Sequence, residues 1–116
     1  MKYIVAIIQP QRLQEVQKEL YAEEVNLITA SEVVGHGRQK GVTEVYRAHR
    51  ESGNLLRKIK LEIAVNDEFV DRTIQAIIRG ARSSEGGEIG DGKIFVLPLE
   101  QCMRIRTGET GSVAIG

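Results

Sequence analysis

Residues 58–65 read Lys-Ile-Lys-Leu-Glu-Ile-Ala-Val, so that Ile59, Leu61, Ile63 and Val65 alternate with Lys60, Glu62 and Ala64. Side chains of a strand point to opposite faces in turn, so this run buries one face and leaves the other partly polar. A sheet built from such strands needs cover on one side, and two segments have the helical spacing to supply it. Leu13, Val16, Leu20 and Tyr21 recur between Gln14, Glu15, Gln17, Lys18 and Glu19, which predicts an amphipathic helix from Gln11 to about Glu23. Asn66 or Asp67 is placed to cap a second helix, with Glu68 in its first turn. Its core face would be Phe69, Val70, Ile74, Ile77 and Ile78, and Gly80 sits where a helix should stop. Further strands are expected at Tyr3–Ile8, ended by Gln9-Pro10; at Leu27–Val34, closed by Gly35 and Gly37; and at Lys93–Leu97. The order β-α-β-β-α-β is the ferredoxin-like arrangement: an α+β fold with two helices on one face of an antiparallel sheet.

Composition narrows the function classes. At 116 residues and 41% hydrophobic content the chain is one domain, 1–116, with enough apolar material for a core. Sixteen basic and sixteen acidic residues cancel, so bulk charge holds no nucleic acid to this chain. The single cysteine, Cys102, makes no internal disulfide and reads as packing. The first apolar run stops at Pro10, too short to span a bilayer and without a cleavage region. A cytoplasmic protein with no direct membrane insertion is the expectation.

Two stretches exceed what a bare fold requires. About twenty residues, Gly37 to Leu56, separate two strands that a short hairpin would join, and loops of that length in compact domains are usually functional or disordered. The window His36–Lys60 holds seven basic residues against two acidic, a local charge of +5 that suits a polyanion. The second stretch, Gly80–Gly92, holds five glycines. Within it Gly87-Glu88-Ile89-Gly90-Asp91-Gly92-Lys93 matches G-x-x-x-x-G-K, but Ile94 follows in place of Ser or Thr, and a strand follows in place of a helix. It is therefore no Walker loop, although glycine N–H groups and the Lys93 charge still favour an anion. Arg104 and Arg106, two apart on an expected strand, would turn both guanidiniums to one side, a pairing suited to phosphate oxygens. His36, His49 and Cys102 have no short metal-ligand spacing, and no Ser-His-Asp or Cys-His arrangement is legible.

In order and spacing, Gly35-x-Gly37-Arg38-Gln39-Lys40-Gly41, then Lys58, then Gly90-Asp91-Gly92-Lys93-Ile94-Phe95-Val96, then Arg104-Ile105-Arg106-Thr107-Gly108-Glu109 resemble the PII nitrogen-regulatory signal proteins. Ala6-Ile7-Ile8-x-Pro10 and Thr43-Glu44-Val45-Tyr46-Arg47 extend the resemblance over essentially the whole chain. It implies a homotrimer in which ATP and ADP compete for clefts between subunits. It also implies that 2-oxoglutarate joins Mg and ATP at the base of the long loop, the T-loop, about 37–56. By position, Thr29 would contact adenine with backbone near Ala64, and Gly35, Gly37, Arg38, Gln39 and Lys40 would line one side of the nucleotide cleft. A loop of about 80–92 would wrap the phosphates through Gly87, Gly90, Asp91, Gly92 and Lys93, with Arg104 and Arg106 from a C-terminal loop of about 100–116. Gln39 would ligate Mg, Lys58 would pair with a carboxylate of 2-oxoglutarate, and Gly41 would offer its N–H. Target proteins, such as a membrane transporter or a nitrogen-metabolism enzyme, would be met at the loop tip by Tyr46, Arg47, His49, Arg50 and Glu51.

The chain departs from the family pattern in two places. Glu51 stands where many members carry a modified tyrosine, and His49 where some relatives phosphorylate a serine. The loop before Gly90 is about three residues longer than is common, with Gly86 in place of a threonine, so ATP-versus-ADP preference is expected to differ. An adenylate-only regulator without a 2-oxoglutarate response is the alternative. An RNA-recognition module shares the strand order but needs stacking aromatics on its central strands, where Tyr3 stands alone. An acyl-phosphate hydrolase would need an anion-cradling loop after the first strand, and Gln9-Pro10-Gln11-Arg12 has no glycine. No enzymatic activity beyond a slow ATPase, with Asp91 orienting water, is expected.

Overall fold

The computed structural model describes residues 1–36 and 55–116. Strand β1 is Lys2–Ile8; a 3-10 turn at Pro10–Arg12 leads into α1, Leu13–Ala22; β2 is Thr29–His36; β3 is Leu55–Val65; α2 is Asp67–Ala81; β4 is Gly92–Pro98; a one-turn helix α3 closes the chain at Ser112–Ile115. The four strands form one antiparallel sheet in the order β2-β3-β1-β4, with α1 and α2 packed on one face. This is the ferredoxin-like α+β arrangement that the order of the elements predicts.

The alternation in β3 becomes the two faces of the sheet. Ile59, Leu61, Ile63 and Val65 are buried under the helices with Ile4, Ala6 and Ile8 of β1, and Val16, Leu20 and Ile77 meet them from α1 and α2. Burying a large aliphatic side chain contributes about 1.5–3 kcal/mol, so this layer dominates folding. The opposite face carries Tyr3, Val5 and Ile7 of β1 opposite Leu97, Phe95 and Lys93 of β4. On the same face, β3 sets Ala64, Glu62 and Lys60 opposite those three β1 residues. No helix among the described residues is long and apolar enough to cross a membrane.

Several boundaries differ from the sequence expectation. Gly35 does not close β2: the strand continues to His36, because its ladder with β3 runs on through Gly35↔Leu56 and His36↔Leu55. Ladder hydrogen bonds are made by the backbone, so a glycine can take part without a side chain. Accordingly β3 begins at Leu55, inside the stretch assigned to the long loop. The first helix is shortened by the 3-10 turn that Pro10 opens. Gly80 does not stop α2 but lies buried inside it, where a Cβ would stand 2.6 Å from Val16 Cα of α1. The helices cross at this bare backbone, which rotates the buried face of α2 toward Thr73, Ala76, Ile77, Gly80 and Ala81 and leaves Phe69, Val70 and Ile74 only half-buried. Thr73 is tolerated there because its hydroxyl donates to the Phe69 carbonyl at 2.7 Å. Asn66 occupies the N-cap position without a capping bond; its amide instead donates to the Ser112 carbonyl at 3.1 Å.

Candidate functional site

Where β2 and β3 leave the sheet, its open face carries a cavity of about 480 Å³ lined by Ile7, Val33, Gly35, His36, Lys58, Gly90, Gly92 and Lys93. Three segments distant in sequence meet here. Lys93 reaches the open face because it pairs with Ile7, and Lys58 because it pairs with Val33. A larger pocket of about 660 Å³ lies on the helix side of the 82–91 loop, with Ile8, Ile74, Ile77, Ile78 and Ile94 on one wall and loop residues from Arg82 to Asp91 on the other.

Lys58 is 8% exposed, an unusual setting for an ammonium. Its Nζ donates to the Gly90 carbonyl at 3.3 Å. Burial lowers its pKa, opposed by the nearby Asp91 charge. An ammonium so placed gains from any anion that enters the cavity.

The loop that forms the cavity's far wall is organised by Asp91. One carboxylate oxygen accepts from the Ser83 hydroxyl at 2.7 Å, and the other accepts from the Glu88 N–H at 2.8 Å and the Ser83 N–H at 3.3 Å. Gly87, Gly90 and Gly92 all have positive φ, which lets the chain turn back on this carboxylate and enter β4. Burial pushes the Asp91 carboxyl up, but the donors from Glu88 and Ser83 outweigh it and hold its pKa below the ordinary value. A depressed carboxylate pKa stabilises the folded form above the ordinary value, about 3.9, and the contribution is lost as pH falls through the folded value. The amide resonances of Ser83 and Glu88 are therefore expected to shift together on acidification below about pH 4, with the strand amides unmoved. Independent titration of the two amides would contradict this arrangement.

Among the other described residues expected at the site, Thr29, Ala64, Arg104 and Arg106 are not brought to this cavity. Thr29 and Ala64 lie at the far end of the sheet, Thr29 opposite Glu62, whose carboxylate accepts from the Tyr3 hydroxyl. Thr29 and Gly35 are six residues apart on one strand, roughly 20 Å at 3.3 Å per residue. Arg104 and Arg106 do not sit on a strand. Arg104 opens a turn in which the Gly108 N–H donates to its carbonyl at 2.7 Å, and a bridge between Met103 and Thr110 frames that turn. Its guanidinium is held by the Glu109 carboxylate and the Val113 carbonyl, while Arg106 is exposed. Gly108, at φ +74°, lets the chain reverse within the motif, which breaks the alternation a strand would need. Gly37, Arg38, Gln39, Lys40, Gly41, Tyr46, Arg47, His49, Arg50 and Glu51 lie outside the described residues. Among the described residues no group of three His, Cys, Asp or Glu is placed to hold a metal ion.

Two residues absent from the sequence expectation support the site. Arg12 Nε donates to the Gly80 carbonyl at 2.8 Å, and Gln9 Nε2 donates to the Gly90 carbonyl at 3.1 Å, tying both ends of the glycine-rich loop to the end of β1. The available signal for Gln9 was parity: one step past inward-facing Ile8, it shares the side of Ile7 and Lys93.

Comparison with known proteins gives a consistent answer. The profile of the family described as "Nitrogen regulatory protein P-II" matches residues 1–109. The chain is 57% identical over 115 residues to "Nitrogen regulatory protein GlnK1" of Methanosarcina mazei, covering 99% of this chain and 97% of that protein. It is 50% identical to "Nitrogen regulatory protein P-II" of Rhizobium etli, covering 99% of this chain and all of that one. Among solved structures, Arabidopsis thaliana PII bound to citrate superposes with a TM-score of 0.77 at 37% identity, over 98% of this chain and 88% of that one.

Proposed function

This chain belongs to the nitrogen regulatory protein P-II family, whose members are named as regulators rather than enzymes, and from that premise we propose that it senses ATP or ADP together with 2-oxoglutarate and Mg. Its output is control of a target protein through the 37–56 segment. The observation that carries this reading is the convergence of Lys58, Lys93 and the glycine backbone at Gly35, Gly90 and Gly92 on one cavity. Two lysines and glycine N–H groups suit a ligand rich in phosphate and carboxylate oxygens. The Arabidopsis relative is named as holding citrate, a polycarboxylate.

A single copy offers an incomplete site, since Thr29 and Ala64, assigned to adenine, are a strand's length from Lys93. A homotrimer answers this by placing the far end of one sheet beside the cavity of the next. The open face of the sheet supports such assembly: Phe95 and Leu97 are 49% and 44% exposed in the isolated chain, opposite Val5 and Tyr3. Gln39, assigned to Mg, would supply an amide oxygen that joins phosphate oxygens around a hard cation. Bound Mg neutralises phosphate charge. Nucleotide and dicarboxylate then shift the target-binding segment only by the difference in their affinity for its two states.

Calorimetry of the purified protein with ATP and with ADP, each with and without Mg and 2-oxoglutarate, tests this. The expected result is 2-oxoglutarate binding only when Mg-ATP is present. Nucleotide binding without any 2-oxoglutarate response would convert the reading to an adenylate-only regulator, and no nucleotide binding would overturn it. Lys58→Met is expected to weaken 2-oxoglutarate at least about 100-fold while ATP affinity stays within a few fold, because a desolvated charge partner is removed from one ligand only. Equal losses for both ligands would show that Lys58 does not discriminate between them.

A further inference from the structure

The Gly90 carbonyl oxygen accepts from two side chains, Gln9 Nε2 just past the end of β1 at 3.1 Å and Lys58 Nζ within β3 at 3.3 Å. Both donors are buried, each 8% exposed. Gln9 is held with its nitrogen toward Gly90, since its own amide oxygen accepts from the Gln11 side chain. Two residues later, Gly92 passes directly under the Ile7 carbonyl, so the position of Gly90 sets how Lys93 enters the cavity. The Lys58 contact is long and uses a neutral acceptor, whereas a carboxylate would offer a charge-assisted bond about twice as strong.

We propose that Gln9 is the positioning residue of the phosphate loop: it retains the Gly90 carbonyl when Lys58 turns to a carboxylate ligand, so that filling one anion site does not loosen the other. The inference rests on the binding reading above for its ligands. Its structural part, the hold on the loop, stands apart from them. In this role Gln9 acts through its bond to the Gly90 carbonyl.

The test compares the full chain with Gln9→Met, which removes the donor, and with Gln9→Glu, which keeps the shape but accepts rather than donates. Hydrogen exchange is measured over 82–92 without ligand. Mg-ATP affinity is measured with and without saturating 2-oxoglutarate. In either variant the loop amides are expected to exchange about fivefold faster or more. Addition of 2-oxoglutarate should then change ATP affinity about tenfold less favourably than in the unaltered chain, the size of one lost hydrogen bond. A mere packing defect would weaken ATP equally with and without 2-oxoglutarate, and that result overturns the proposal. Unchanged loop exchange also overturns it. If the unaltered chain binds no 2-oxoglutarate, the binding reading falls, and the exchange comparison alone decides whether Gln9 holds the loop. Should Gln9→Met fail to fold, Gln9→Glu carries both measurements.

Discussion

Gly92→Ala is expected to destabilise the chain by more than about 3 kcal/mol, adding the strain of a non-glycine residue at positive φ to an overpacking term. The residue sits at φ +121°, and a Cβ there would stand 1.8 Å from the Ile7 carbonyl oxygen. That oxygen is backbone in the middle of the sheet, with no flexible end to swing aside. β4 would have to leave β1, taking Lys93 out of the cavity, so anion binding should vanish with the stability. Thermal unfolding at fixed chain concentration should show the midpoint more than about 12 °C lower, using roughly 4 °C per kcal/mol for a domain near this size. Gly86→Ala is the matched control. Nothing lies within 4 Å of its would-be Cβ, and an effect within about 0.5 kcal/mol is expected. Equal stability of the two variants would refute the close approach of β4 to β1.

Gly80→Val carries the second large effect, expected at about 2–3 kcal/mol from overpacking. Helix propensity argues the other way, since glycine inside a helix costs up to about 1 kcal/mol relative to alanine. The clash wins because the neighbouring atoms are α1 backbone: Val16 Cα at 2.6 Å and Val16 N at 2.8 Å from the added Cβ. Valine forces the two helices apart and opens the layer over Ile77 and Leu20. Denaturant unfolding measures the loss. An increase in stability, the propensity result, would mean that α1 and α2 do not meet at this glycine.

These two glycines also show where sequence reading ends. The alternation of Ile59 to Val65 and the spacing of Leu13, Val16 and Leu20 are local patterns, and both the strand and the helix are where those patterns put them. Gly80 carries the same letter as a helix stop, and only the proximity of Val16, sixty-four positions earlier, distinguishes a contact glycine from a cap. Gly35 misleads in the same manner, because its ladder partner Leu56 lies beyond a long insertion. Arg104 and Arg106 alternate like strand residues, yet Glu109 closes the motif on itself through the Arg104 guanidinium. For the candidate site, Lys58, Gly90 and Lys93 could be grouped from sequence through family resemblance, while their meeting in one cavity depends on strand register. Gln9 had only its parity with Ile7 and no motif to mark it; a single buried amide becomes visible only with its acceptor.

The three bonds to Asp91 have a consequence for how this loop tolerates change. Ser83 and Glu88 clamp onto one carboxylate, and between them Ser84 to Gly87 form a tight turn closed by the Gly87 N–H on the Ser84 carbonyl at 3.0 Å. Residues 84–87 are therefore the tip of a loop whose base is closed on Asp91. Residues added at this tip are expected to leave the clamp on Asp91, and with it the start of β4, in place, whatever they change in the contacts of the tip itself. A region of this kind is a natural splice point, where a peptide tag or a fluorescent amino acid between Glu85 and Gly86 would sit at the rim of the larger pocket on the helix side, which Gly86 and Gly87 line.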